Sequence, residues 1–184
     1  MVLPYHISGE MFKGILEIGW GSADNVNKVE IMDSKFMEIA LEEARLAGVA
    51  GDVPVGACVA VGDRLIARGR NRREERGDPL AHAEVEALRA AAEALGGWNL
   101  SEATLYVTLE PCPMCAGAIL QSRISRVVFG AYDGRAGCCG TLYNLPGDER
   151  FPVHVDVEGG VLREECAALL KAFFRSRREE ERIY

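Results

Sequence analysis

Two short stretches hold the residue types that could do chemistry. His82-Ala83-Glu84 offers an imidazole with a carboxylate two residues on, and Pro111-Cys112-Pro113-Met114-Cys115 offers two thiols three residues apart. One imidazole nitrogen and two thiolates suit a tetrahedral zinc ion. Three protein donors leave its fourth position open for a water whose pKa the metal pulls toward neutrality. Glu84 then stands where a proton acceptor is needed. A bare C-x-x-C is weak by itself, since a redox pair or half of a structural zinc site has the same spacing. The rival reading is a closed structural site with Cys58, Cys138, Cys139 or Cys166 as fourth ligand, but such a site has no need of a glutamate beside the histidine. The other two histidines, His6 and His154, lack ligand-spaced neighbours and read as ordinary.

The elements that must position these residues follow from periodicity and breakers. Residues 34–46 read as a helix, with Phe36, Ile39, Ala40, Glu43 and Ala47 at helical spacing and Gly48 as its stop. Val53-Pro54-Val55-Gly56 leads into a strand over 57–61. Gly62-Asp63 is a two-residue turn with glycine first, and 65–69 returns as the second strand of a hairpin. Asn71 and a charged loop to Gly77 follow. Asp78-Pro79 predicts an N-cap and a first helical residue, with the helix running to Leu95 and stopping at Gly96-Gly97. His82 and Glu84 then fall in its first turns. At about 100° per residue they sit on opposite shoulders of the stripe formed by Val85, Leu88, Ala92 and Leu95.

Residues 104–108 read as a strong strand ended by Pro111. Cys112 precedes Pro113 at a helix start, so Cys112 and Cys115 meet on one side of the first turn. The positive end of that helix lowers thiol pKa. The helix continues through Ala118, Ile119 and Leu120. Residues 126–131 read as a strand, and 133–140 as a glycine-rich loop holding Cys138 and Cys139. Val153, Val155 and Val157 alternate with polar residues as on a half-buried strand. The last helix places Leu162, Cys166, Leu169, Leu170, Phe173 and Phe174 on one face. Helices between strands predict a mixed sheet covered on both faces. Residues 1–31 hold no motif, and Gly14, Gly19, Gly21 and Asp24-Asn25 break any helical period. A regular pattern starts at Asp33-Ser34, so the expected organisation is an N-terminal extension over 1–31 and a zinc-dependent domain over 32–184.

The 184 residues suffice for one domain with a sizeable core. No apolar run approaches a membrane span, and Pro4, Gly9, Glu10, Lys13 and Glu17 interrupt the start in a way a signal peptide does not. A cytoplasmic setting is expected, where six cysteines serve as metal ligands or free thiols rather than disulfides. The net charge of −7 argues against a generally basic nucleic-acid binder. Local basic patches remain: Arg64, Arg68, Arg70, Arg72, Arg73 and Arg76 form one cluster, and Arg175, Arg177, Arg178 and Arg182 another. Either cluster, taken alone, reads equally as solvated surface.

The order His-x-Glu, then Pro-Cys-x-x-Cys about thirty residues later, is the H-x-E…P-C-x-x-C signature of zinc nucleobase deaminases. Several further segments extend the match: Val53-Pro54-Val55-Gly56-Ala57, Asn71-Arg72, Asp78-Pro79, Thr104 through Cys112, Met114-Cys115-Ala116-Gly117-Ala118, Ser122-Arg123-Ile124, Arg126 through Ala131 and Cys166-Ala167-Ala168-Leu169-Leu170. Over about 34–180 the chain resembles the bacterial tRNA-specific adenosine deaminases. The core motifs equally suit cytosine, guanine or deoxycytidylate deaminases, and the discriminating part is Phe173-Phe174-Arg175-Ser176-Arg177-Arg178.

The resemblance implies a cytidine deaminase-like α/β/α sandwich of three layers around a mixed five-stranded sheet. It also implies a homodimer and adenosine-to-inosine conversion at the wobble base of a tRNA anticodon stem-loop. By the same resemblance His82, Cys112 and Cys115 hold one zinc ion per subunit, Glu84 is the catalytic proton shuttle, Asn71 hydrogen-bonds the flipped adenosine, and Asp133 contacts the loop backbone or a neighbouring nucleotide. Phe174, Arg175 and Arg178 would line the RNA groove, where unstacked bases and phosphates meet aromatic and guanidinium groups. A helix end whose arginines merely complement the macrodipole has the same composition. The small Ala83 would let its backbone N–H approach the substrate. Two features depart from the family pattern, the N-terminal extension and the Cys138-Cys139 pair. The rival functions are a free-base or nucleoside deaminase of guanine or cytosine type and a non-enzymatic, zinc-stabilised RNA-binding module.

Overall fold

The computed structural model describes residues 23–181, with side chains from 28 to 179. His6, Arg182 and the stretch before Ala23 lie outside the described residues. The chain divides into two units, Met1–Ile31 and Met32–Tyr184, and the sheet and its covering layers belong to the second. The elements are α1 (Ala23–Val49), β1 (Gly56–Val61), β2 (Arg64–Arg70), α2 (Arg73–Arg76), α3 (Ala83–Leu95), β3 (Thr104–Leu109), α4 (Pro113–Ser122), β4 (Arg126–Ala131), β5 (Asp156–Gly159) and α5 (Arg163–Glu181).

The five strands lie in the order β2-β1-β3-β4-β5. β1 runs antiparallel to β2 and β3, while β3, β4 and β5 are parallel to one another. Alternation along each strand sorts side chains to two faces. On one face Val59, Leu105, Val107, Val127 and Phe129 pack under Ala87, Leu88 and Ala91 of α3 and Ile119 and Leu120 of α4. On the other, Cys58, Ala60, Tyr106 and Val128 meet Phe36, Met37, Ala40 and Leu41 of α1 and Cys166 of α5. The result is the expected three-layer α/β/α sandwich around a mixed sheet. A partly buried ion pair ties the second face together. Asp33 of α1 accepts two bonds from the Arg126 guanidinium, at 2.7 and 2.8 Å, and a third from the Tyr106 hydroxyl at 3.1 Å. Among the described residues no helix is long and apolar enough to cross a membrane.

The structure differs from the sequence expectation at several elements, and Leu162, expected on the last helix, lies just before α5. α1 starts at Ala23, well before Ser34. No glycine or proline interrupts 22–47, so nothing in the sequence stops the helix from extending back from Ser34. A one-turn helix, α2, occupies part of the charged loop. β5 begins only at Asp156, paired with Arg126 of β4. Val155 is buried ahead of it, with its N–H on Pro146 O outside the ladder.

The layer that matters for chemistry is α3 on β2. Gly69 makes the close approach possible, since a Cβ there would collide with the backbone of Ala83 and Ala87 in the first turns of α3. Gly69→Ala is therefore expected to lower stability by about 1–3 kcal/mol through overpacking, read by urea denaturation. Because the strain falls under Glu84 and His82, activity should drop further than the small unfolded fraction explains.

Candidate metal centre and active site

Both chemical stretches sit at helix starts. α3 does not begin at Pro79. The Asp78 carboxylate accepts the Leu80 N–H at 2.8 Å, an Asx turn that uses Asp78 before a helix can use it as a cap. His82 becomes the N-cap, with extended backbone at φ −76°, ψ 152°. Lying outside the helix, His82 is freed from the 100° step that placed it and Glu84 on opposite shoulders, and both line one cleft. Cys112 is likewise the extended N-cap of α4, with Pro113 following and Cys115 in the first turn.

The two helix starts converge. His82 Nδ1 lies 3.7 Å from Cys112 Sγ and 3.5 Å from Cys115 Sγ. Around a tetrahedral zinc with Zn–N of about 2.0–2.1 Å and Zn–S of about 2.3 Å, nitrogen and sulfur should be about 3.6 Å apart. The three donors therefore fit one zinc ion before any adjustment. Among the described residues no fourth His, Cys, Asp or Glu completes the group. Cys58 donates instead to Phe36 O on the far face of the sheet, and Cys166 lies in that same cluster. Burial pushes the thiols of Cys58 and Cys166 up to about 12, the behaviour of inert core cysteines. Cys112 is held down at about 4, chiefly because the Cys115 thiol donates a hydrogen bond to its thiolate and secondarily by a hydrogen bond with His82.

The cleft beside these donors has a volume of about 230 Å³ and is lined in part by Asn71, Ala83, Glu84, Glu110 and Asp133. Clefts for drug-sized ligands run to roughly 300–1,000 Å³, so this one suits a single planar base with the rest of its molecule outside. Glu84 is 4% exposed, and burial pushes its carboxyl above the usual range. Asn71 donates Nδ2 to Val53 O at 3.2 Å, and its buried Oδ1 has no partner among the described residues, which leaves an acceptor on the cleft wall. Ala83 is fully buried as the first residue of α3, where the N–H has no intrahelical acceptor. Asp133 is half-buried and accepts the Arg135 N–H at 2.8 Å.

The other expected residues lie apart. Phe174, Arg175 and Arg178 are exposed on α5 and do not line the cleft. Arg177 between them donates to Gly51 O at 2.8 Å, next to the Val53 wall. In the first arginine cluster Arg68 pairs with Glu42, Arg70 and Arg72 with Glu75, and Arg76 with Glu86, so most of its charge is neutralised in place. Arg73 lines the cleft.

Besides Asp33 in the far layer, two buried carboxylates have no role that sequence reasoning assigns. Asp52 accepts the N–H groups of Glu74 and Glu75 at 2.8 and 3.1 Å and so anchors α2 beside Asn71. Glu110 lines the cleft and binds the loop after β4. An acid between an apolar strand and Pro111 is a signal for Glu110. Nothing local marks Asp52.

The zinc-binding region of cytidine and deoxycytidylate deaminases matches residues 31–131. The chain is 49% identical over 150 residues to the tRNA-specific adenosine deaminase of Bacillus subtilis, covering 82% of this chain and 93% of that protein. It is 47% identical over 152 residues to the tRNA-specific adenosine deaminase of Haemophilus influenzae, covering 82% and 88%. A solved structure from a study of A-to-I editing by tRNA:A34 deaminases at the wobble position of transfer RNA matches with TM-score 0.72 at 44% identity, over 74% of this chain and 99% of that one. The guanine deaminase of Nitrosomonas europaea matches with TM-score 0.68 at 29% identity, over 76% and 83%. A fold, a donor set and relatives that agree to this extent make the chain a member of the tRNA-specific adenosine deaminase family, within the zinc-dependent cytidine and deoxycytidylate deaminases.

Proposed function

We propose that this chain hydrolyses adenosine to inosine at the wobble position of a tRNA anticodon, in the cytoplasm and as a homodimer. The deaminase domain is residues 32–184, with 1–31 as an extension. The observation that carries the reading is the three-donor cluster beside a buried glutamate, in a cleft sized for one base. His82, Cys112 and Cys115 would hold the zinc. When bound, the metal supplies Lewis acidity that makes a water nucleophilic at neutral pH.

The chain's own residues do the rest. Glu84 takes a proton from the attacking water and delivers it to N1 of the adenine ring. It then helps protonate the departing N6 amino group, so that ammonia leaves. A carboxyl with its pKa raised by burial suits a group that must both accept and return a proton. Asn71 Oδ1 orients the base, and the Ala83 N–H is available to its edge. Asp133 meets the flanking backbone. Phe174, Arg175 and Arg178, outside the cleft, would meet the rest of the stem-loop.

The likeness to a guanine deaminase keeps one rival in view, and substrate separates the two. Incubated with an anticodon stem-loop, free guanine and cytidine, the zinc-loaded protein should form inosine in the stem-loop alone. Turnover of only a free base would reject the proposal. Glu84→Ala should lower kcat by about 10²–10⁴-fold while zinc content and stem-loop binding stay at wild-type levels, and unchanged deamination would remove Glu84 from its role. Arg178→Ala should weaken stem-loop binding and reduce the dependence of log K on log salt by about one. An unchanged slope would mean that the arginine only complements the α5 dipole.

A further inference from the structure

We propose that Glu110 is a positioning residue for substrate recognition, whose carboxylate clamps the 133–141 loop into the cleft wall that carries Asp133 and Ala136. Only the kinetic arm of its test rests on the function proposed above.

Glu110 follows β3, stands two residues before Cys112, lines the cleft and is 2% exposed. A carboxylate in that place invites two roles, a further metal donor or a second acid–base group. Its hydrogen bonds leave room for neither. Oε1 accepts the backbone N–H of Cys139 at 3.0 Å and of Thr141 at 2.9 Å. Oε2 accepts the N–H of Asp133 at 3.1 Å and the Thr141 hydroxyl. An ionised carboxylate has about four acceptor sites, and one loop fills them all. Glu110 is also absent from the donor cluster.

What the carboxylate holds is a stretch with no regular secondary structure apart from one isolated bridge, between Cys139 and Asn144. Such a loop has few ladder bonds of its own, so the anchor decides where it lies. Asp133 and Ala136 from this loop line the same cleft as Asn71 and Glu84. Gly137 completes the fit, because a Cβ there would run into the Glu110 carboxylate. The Cys138 N–H donates to Pro111 O at 2.9 Å and continues the seam toward Cys112. Removing the carboxylate strands up to four donors at once, and the loop can recover them only by moving toward water. The chemistry at Glu84 and the metal donors stays on α3 and α4, while the wall that meets the substrate is released.

The test compares Glu110→Gln, Glu110→Asp and Thr141→Val in the full chain. In Glu110→Gln, amide hydrogen exchange should speed up in 133–141 and stay as in wild type through α3 and α4. KM for the anticodon stem-loop should rise about tenfold or more with a smaller change in kcat, since a stranded buried donor costs about a factor of ten. The visible spectrum of the cobalt-substituted protein should not move. Glu110→Asp, which keeps the charge, should recover part of the loss. Thr141 is exposed, so Thr141→Val should fold and give a milder KM rise of about threefold. It carries the test if the glutamine variant does not fold. Unchanged exchange in the loop would overturn the proposal. So would faster exchange across the whole domain with KM unaltered, and so would a shifted cobalt spectrum, which would mean that Glu110 acts through Cys112. Should wild-type protein leave the stem-loop untouched, the functional reading fails while the exchange experiment still decides the clamp.

Discussion

Everything in this domain is arranged around the meeting of two helix starts. His82 caps α3, Cys112 caps α4 and Cys115 lies in the first turn, which puts the His82 Nδ1 3.7 and 3.5 Å from the two sulfurs. A helix start has unpaired N–H groups and the positive end of the dipole, both of which favour thiolate. The charges there are uneven: Cys112 is the favoured thiolate, whereas the hydrogen bond it takes from Cys115, together with burial, pushes the Cys115 thiol up, and burial raises the Glu84 carboxyl. The elements beneath hold these groups together. β3 and β4 run parallel beneath α4, and Gly69 lets α3 rest directly on β2. A divalent cation would be held by His82, Cys112 and Cys115 with loss of the Cys115 proton, which would link metal binding to pH and to stability.

The buried acids around the cleft divide by what they touch. Asp52 and Glu110 are each given over to backbone N–H groups, one on α2 and one on the 133–141 loop. They hold opposite ends of the lining in sequence, the Asn71 segment and the Asp133 segment. Glu84 is comparably buried, yet it sits in the first turn of α3 beside the donors, and burial raises its pKa. Three carboxylates of similar exposure thus do different work, and burial alone does not tell them apart. The hydrogen-bond partners do. The basic residues divide in the same way: Glu42, Glu75 and Glu86 neutralise most of the first arginine cluster, whereas Arg175 and Arg178 project from α5 into solvent.

Much of this is legible in the amino-acid sequence by itself. The apolar runs over 57–61, 104–108 and 126–131 mark the central strands, Gly62-Asp63 marks the hairpin, and Pro113 marks the start of α4. Residue type and spacing are enough to single out the donors His82, Cys112 and Cys115. These signals are local: a strand's period, a turn's glycine and a proline at a helix start each depend on a few neighbouring residues. The same locality misleads at two places. Asp24-Asn25 have the composition of breakers yet open α1, and Asp78 has the composition of a cap yet its side chain closes a turn onto Leu80.

What the tertiary structure alone decides is every relation across sequence distance. The sheet order brings the start of α3 to the start of α4, and without it three well-spaced donors are only two unrelated motifs. Glu110 reaches residues 23 to 31 positions away, and Asp52 reaches 22 and 23 positions. Such a bond forms only where both partners have already been taken from water and need each other, a condition set by the packed sheet and written in no single segment of the chain.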